Sequence, residues 1–417
     1  MNYGIITLLP ALLVIVVAIK SKRTTEALLM GCVSSYAIIA IANRKNPVTL
    51  MVDSFFSIIT DYDTVWLLIV CGLFGSLIAV INAAKGTHAI ANFLGKICKT
   101  GKSTLLTSWL LGIIIFVDDY MNIMTISACT KKLSDLRKVP REALAYVIDS
   151  TGAPICVLLP FSTWAIFFAG IFYEQKEIAA LGYNSAMSTY IHTIPYMFYA
   201  MVAVIVVPFF IMGIVPKIGA MKKAYQRVEI TGKVYSENSN KLNKREEDES
   251  SEEAKIIDFL IPICDLWIQG FADSVSALAI IVAALWMRQA SADLNLPEYI
   301  IGLVEPFVTP HIYPMIAFLV VAVLGFITGS NWGIPAVCAP IIIPLGAACG
   351  ANLLSVMAAI VCGGTFCSHA CFYSDATVIT SASCGIENMD HVYSQLPYTI
   401  ISAVIASILF LVSGYLF

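Results

Sequence analysis

Charge is what this sequence has least of: only 13% of its 417 residues are Asp, Glu, Lys or Arg, against 59% apolar. That excludes an ordinary water-soluble domain and a disordered chain alike, because neither tolerates so much apolar surface with so little charge. An excess of either sign is also missing. The formal net charge is -3, too near neutral to select nucleic acid or another polyanion as partner. No CxxC pair occurs, and the twelve cysteines are scattered through apolar runs, where a thiol behaves as a small hydrophobe rather than as half of a disulfide framework. The first apolar run, Tyr3 to Ala18, has no basic residue before it and no small-residue cleavage site after it, and Lys20, Lys22 and Arg23 follow at once. This reads as a retained membrane helix, not a removed signal peptide.

What is present is a chain of apolar runs of membrane-spanning length. The few charges are unevenly spread: nine basic and nine acidic side chains fall between Lys217 and Asp258, which therefore reads as a charged cytoplasmic linker over 216–258. A spanning helix needs about 20 apolar residues, and basic loops collect on the cytoplasmic side. Runs near 3–19, 27–43 and 65–84 thus predict three crossings. The run at 103–130 has lysines and arginines at both ends and two adjacent aspartates in its middle, in VDDYMN (Val117 to Asn122). It is too short to cross twice, so it predicts a re-entrant hairpin with a polar tip. The crossing at 143–173 contains DSTGAP (Asp149 to Pro154) and PFSTW (Pro160 to Trp164), which predict a broken helix, and 191–214 returns to the cytoplasm.

The second half repeats the device. A run at 313–348 is interrupted by TGSNWG (Thr328 to Gly333), and a run at 352–384 by GGTFCSHACFYSDAT (Gly363 to Thr377). Thr151 and Thr163 are 12 apart, as are Thr365 and Thr377, and Asp118 precedes Thr151 by 33 residues, as Trp332 precedes Thr365. Residues 1–215 and 259–417 accordingly read as two repeats, the second shorter. Parity of crossings then makes them inverted, provided that 256–270 stays outside the crossing at 272–289 and that 297–309, like 87–98, is an amphipathic interfacial helix. The last run, 394–416, exits. The fold class expected is an all-α integral membrane protein of inverted repeats with re-entrant hairpins and broken transmembrane helices.

Carboxylates within such segments are costly, about 2.5–3.5 kcal/mol each on insertion scales, and so are functional candidates. Asp118, Asp119, Asp149 and Asp375 qualify, and Asp149 and Asp375 lead. The bland alternative is that each caps a half-helix N-terminus. Hydroxyls and amides gather at the same breaks: Asn122, Ser150, Thr151, Ser162, Thr163, Ser330, Asn331, Thr365, Ser374 and Thr377, any one of which could merely bond the carbonyl one turn back. A carboxylate beside hydroxyls suits a hard cation such as sodium, expected at Asp149, Thr151, Asp375 and Thr377, or a proton at the same place. Cys362, Cys367, His369 and Cys371 do not lay out a metal site, since 367 and 371 share a helix face from which 369 points away. His369 is expected to bond substrate or a neighbour, and His391 to sit with Asp390 in a cytoplasmic turn.

VDDYMN, REALAYVIDSTGAPICVLLPFSTW, TGSNWG and YSDATVITSASCGIENMDHVYSQLPY, in that order, make the chain from about residue 65 onward similar to the NhaC family of sodium/proton antiporters. The resemblance implies a secondary active transporter, not an enzyme, working by elevator-type alternating access. Sodium or a proton would be the coupling ion, with no other cofactor. Where that family's second broken helix has a GDH-type element, SP and SDTT, this chain has Cys367-Ser368-His369, Cys371-Phe372 and Ser374-Asp375-Ala376-Thr377. The lost acidic group opens an alternative cargo, an amino acid or small carboxylate moved with sodium or protons. Membrane lipid, a small ion or solute and a second copy in a homodimer are the partners expected, nucleic acid is not, and a bacterial inner membrane is the expected location. An intramembrane aspartyl protease using Asp118 and Asp149 is the competing enzymatic reading; it requires the two carboxylates to share a proton.

Overall fold

The computed structural model describes residues 3–21, 24–61, 98–173, 175–243, 262–296 and 309–416, with isolated positions in 64–76 and at 299 and 302. The crossing expected at 65–84 lies largely outside the described residues, and so do the interfacial helices expected at 87–98 and 297–309. Within them the regular structure is helical. α1 (Leu8–Ser21), α2 (Thr24–Asn43) and α3 (Pro47–Ile59) open the chain. Residues 103–130 form two helices, α4 (Gly101–Ile114) and α5 (Asp119–Leu136), broken at the predicted polar tip. A Thr100/Ser103 capping box starts α4, and the Asp118 carboxylate accepts from the Tyr120 and Met121 amides to start α5.

The next crossing is broken twice, into α6 (Arg141–Asp149), α7 (Ala153–Leu158) and α8 (Thr163–Tyr173), with a 43° bend between its two halves. After the short α9 (Lys176–Ala179), α10 (Ala186–Thr193) leads through a second bend, of 54°, into α11 (Phe198–Met212). α12 (Gly219–Thr231) lies in the linker. α13 (Pro262–Asp293) is one continuous helix of 32 residues, about 48 Å long at 1.5 Å per residue. The separation expected between 256–270 and 272–289 is therefore absent: Asp265 and Gly270 lower hydropathy but leave the helix intact, since a helical Gly costs only about 1 kcal/mol.

α14 (Tyr313–Thr328) and α15 (Gly333–Ala348) make the second hairpin, and α16 (Leu353–Ala370) and α17 (Asp375–Cys384) the second broken helix. α18 (Asn388–Leu416) ends the chain, exposing Ile400, Ile401, Val404, Ile405, Ile408 and Val412. Such an apolar stripe suits lipid. Among the described residues three helical stretches are long and apolar enough to cross a membrane, or up to five if each bent pair counts as one span. The chain is a multi-pass membrane protein.

Both halves share one core. Trp164, Phe168, Phe172 and Tyr199 from the first half pack with Phe318, Ile343, Val361 and Phe410 from the second. Close approach is written into glycines: a Cβ on Gly363 would lie 2.6 Å from Val321 Cβ, and one on Gly364 2.6 Å from the Asn331 carbonyl oxygen. Gly329 is doubly constrained, with φ at +69° and the Tyr373 ring where its Cβ would be.

Of the charged linker expected over 216–258, residues 244–258 lie outside the described residues, and the described part is not simply a solvated segment. Residues 219–243 dock onto the protein: Arg227 makes a bidentate pair with buried Glu142 at 2.8 and 2.8 Å, and Asn243 bonds both Arg141 and the Gly385 carbonyl. Arg141, itself buried, also pairs with Asp135 at 2.8 Å, tying α5, α6, the linker and the end of α17 together. Breaking such a pair from one side strands a buried charge, at about 3–5 kcal/mol. Arg227→Ala, which strands buried Glu142, is therefore expected to lower the thermal unfolding midpoint in detergent markedly, and Arg227→Ala with Glu142→Ala to lose less than the sum of the single changes; additive losses would mean that the pair contributes nothing of its own.

Candidate functional site

Asp149 is the last residue of α6, the negative end of a helix, where a carboxylate is disfavoured by the aligned peptide dipoles. It is also buried. Position alone thus removes the bland capping account for Asp149. Its partners come from the far half of the chain: Gln395 Nε2 donates to Asp149 Oδ2 at 2.7 Å and Thr377 Oγ1 lies 3.3 Å from the same oxygen. Gln395 spends its second amide hydrogen on the His369 carbonyl at 2.7 Å, which leaves its Oε1 buried without a hydrogen-bond partner.

His391 lies not in a solvated turn, as expected, but fully buried, its Nε2 3.7 Å from Asp149 Oδ2. Only Asp390 turns to the linker, accepting from Ser236. The Ser381 hydroxyl, 2.9 Å from His391 Nδ1, is also 2.7 Å from the Thr377 carbonyl and 3.0 Å from Asn388 Oδ1, both acceptors. The bonds are satisfied together when Nδ1–H donates to Ser381, so that Nε2 offers a lone pair toward Asp149 and makes no hydrogen bond itself. A carboxylate that already accepts from Gln395 and Thr377, an imidazole nitrogen and an amide oxygen thus gather in one buried cluster, the last two without a completed hydrogen bond. That is what a cation or a mobile proton requires of its surroundings.

Asp375 opens α17 and joins the two hairpin tips: it accepts from Tyr120 OH at 2.5 Å, from Asn331 Nδ2 at 2.8 Å and from the Ala376 amide at 2.8 Å. It is partly accessible, whereas Asp149 is not, and the two carboxylates act on each other electrostatically, as Arg288 of α13 does on Asp375. Arg288 lies beside Gly333 and Ser330 at the start of α15. Tyr120→Phe removes a charge-assisted hydrogen bond of about 1.5–3 kcal/mol. It is expected to weaken cation binding by about 10- to 100-fold while leaving the chain folded; unchanged affinity would place Asp375 outside the binding unit.

The remaining candidates divide. Ser162 and Ser374 perform one task at equivalent breaks: each donates to the carbonyl six residues back, Cys156 or Ser368, and accepts from the amide three residues on, Ala165 or Thr377. Asp118 follows the bland account, capping α5 while Thr163 Oγ1 donates to it at 3.1 Å; the Thr163 amide bonds the Val117 carbonyl, which seats the first hairpin tip on α8. Asp118 and Asp149 are engaged with different partners and do not form a proton-sharing dyad. Thr151 and Thr365 donate to carbonyls of their own helices, Thr151 packed where a Gly112 side chain would be. Ser330 caps α15 through the Gly333 amide. His369 is held between Ser150 at 2.9 Å and Tyr199 at 3.0 Å, a neighbour-bonded role. Asp119 and Asn122 are buried on α5 outside this network. Sequence reasoning missed Tyr120, Arg288, His391 and Gln395. Arg288, a charge inside an apolar run, was the detectable signal.

The chain is 24% identical to an uncharacterized protein of Haemophilus influenzae over 98% of its own length and 91% of that protein's. It is 29% identical to the malate-2H(+)/Na(+)-lactate antiporter of Bacillus subtilis over 111 residues, 27% of this chain and 24% of that one. Residues 260–415, which contain Arg288, the second hairpin, Asp375, His391 and Gln395, match the model of the Na+/H+ antiporter family, so the resemblance read from the motifs to that family of antiporters holds over the second half of the chain.

Proposed function

We propose that this protein is a sodium-coupled secondary transporter that exchanges sodium for protons at a site built on Asp149, with Asp375, Thr377, His391 and Gln395 around it. The observation that carries the reading is the buried cluster of acceptors around Asp149, in which His391 Nε2 and Gln395 Oε1 complete no hydrogen bond, drawn from α6 and α18 and therefore from both halves of the chain. Sodium and a proton both satisfy such a set, and neither leaves room for the other on one carboxylate, so occupancy alternates. The matching serine devices at Ser162 and Ser374 support the inverted-repeat reading, in which 1–215 and 259–417 meet at the hairpin tips. An elevator-type movement of the hairpins and broken helices, in a bacterial inner membrane, completes the proposal.

A second cargo is favoured by one observation: Arg288, which lies beside Gly333 at the second hairpin and whose charge acts on Asp375, is suited to the carboxylate of a small organic acid or amino acid. Purified protein in proteoliposomes tests both. An imposed sodium gradient should drive proton movement in the absence of organic solute, and Arg288→Gln should preserve that flux. If proton movement requires lactate, malate or an amino acid and is lost in Arg288→Gln, the organic-solute exchanger replaces the simple one. Proton movement indifferent to the sodium gradient sinks both.

A further inference from the structure

Asp119 is fully buried, and neither of its carboxylate oxygens has a hydrogen-bond partner. It is the one carboxylate of the four candidates left wholly without hydrogen bonds: Asp118 caps α5, and Asp149 and Asp375 accept from side chains of other helices. The Trp164 indole N–H, also buried, faces Asp119 as a hydrogen-bond donor but is too poorly placed to complete the bond. Three residues on, and so on the same face of α5, Asn122 is also fully buried. Its amide group is fixed, because Nδ2 donates to the Gly112 carbonyl at 2.7 Å and to the Ile115 carbonyl at 2.5 Å. Asn122 Oδ1 is thereby held in one direction, again without a partner. One helical turn of the first hairpin thus presents three buried oxygens without a completed hydrogen bond, near exposed Val117 at the tip and exposed Phe161 and Thr163 at the break on which the tip sits.

Native proteins leave few buried polar atoms unpaired, and a cluster of them signals an absent partner. Here the partner must be small, since Asp119 and Asn122 are both fully buried, and it must supply positive charge rather than accept hydrogens. We infer that Asp119 and Asn122 form a second position for a monovalent cation, separate from Asp149, so that the protein carries two sodium ions when loaded. The inference rests on the sodium-coupled reading and sets its stoichiometry: with a second cation aboard, the loaded unit differs in charge from a one-ion carrier, and its cycle responds differently to membrane potential.

Equilibrium binding of radioactive sodium to the purified full-length protein at saturating concentration and fixed pH counts the positions. Two ions per chain are expected for the native protein, one for Asp119→Asn, one for Asp149→Asn and none for the double variant. The ion still bound by Asp119→Asn reports that the rest of the site is folded. Should that variant not be recovered, Asn122→Ala is expected to retain two positions, one of them weakened about tenfold. A native protein that binds one ion, lost in Asp149→Asn and kept in Asp119→Asn, overturns this inference and leaves the transport reading standing. A native protein that binds none overturns both.

Discussion

Replacing Asp149 with Asn is expected to abolish sodium-driven proton movement in proteoliposomes while the protein still inserts and folds. The amide keeps the shape of the side chain and can still bond Thr377, but it carries no charge. At a separation of about 4 Å and an effective dielectric constant of about 20, one carboxylate contributes about 4 kcal/mol to a monovalent cation. Its loss is about a thousandfold in Kd. The exchange has a second signature. Where sodium and a proton compete for Asp149, apparent sodium affinity rises with pH, approaching tenfold per unit well below the carboxyl's titration and levelling off above it; in Asp149→Asn that slope disappears. Asp375→Asn should also stop exchange, since it removes the charge that Tyr120 and Asn331 hold between the hairpin tips. Native rates in both variants would refute the assignment.

The second large effect comes from a residue with no polar side chain. Gly364→Ala places a methyl group 2.6 Å from the Asn331 carbonyl oxygen and 2.7 Å from Pro335, so α16 and the second hairpin must separate. Overpacking of this kind costs about 1–3 kcal/mol. The functional loss should exceed the loss of stability, because Asn331 is the residue that ties this hairpin tip to Asp375. Gly170→Ala is the control: nothing lies within 4 Å of the added carbon, and the helix gains in propensity. Exchange at less than a tenth of the native rate in Gly364→Ala, with Gly170→Ala at the native rate, is the expected outcome. Equal rates in the two would show that hairpin contact is not needed for transport.

The breaks were legible in the sequence because they carry their own chemistry. An aspartate pair, glycines and prolines inside apolar runs mark where a helix cannot continue, and both hairpin tips fall at the polar elements that announced them. Asp149 and Asp375 were legible for the same reason. Their partners were not: Gln395 lies 246 residues from Asp149 and Tyr120 lies 255 from Asp375, and a residue's local surroundings say nothing about which distant helix it faces. His391 misled because Asp390 beside it does lie at the linker; one step along a helix turns a side chain about 100°, enough to pass from the surface to the core. The linker misled through its balanced charge, which resembles a solvated run until Arg227 and Glu142 are placed face to face. Hydropathy also marked an interruption near Gly270 that the backbone of α13 ignores, since polarity and helix continuity are different properties.

In the proposed exchange sodium displaces a proton from Asp149. Proton release on sodium addition, followed with a pH indicator in weakly buffered detergent solution, tests it without a membrane or a gradient. The native protein should release protons in step with sodium bound, and Asp149→Asn should release markedly fewer. Undiminished release from Asp149→Asn would contradict the account.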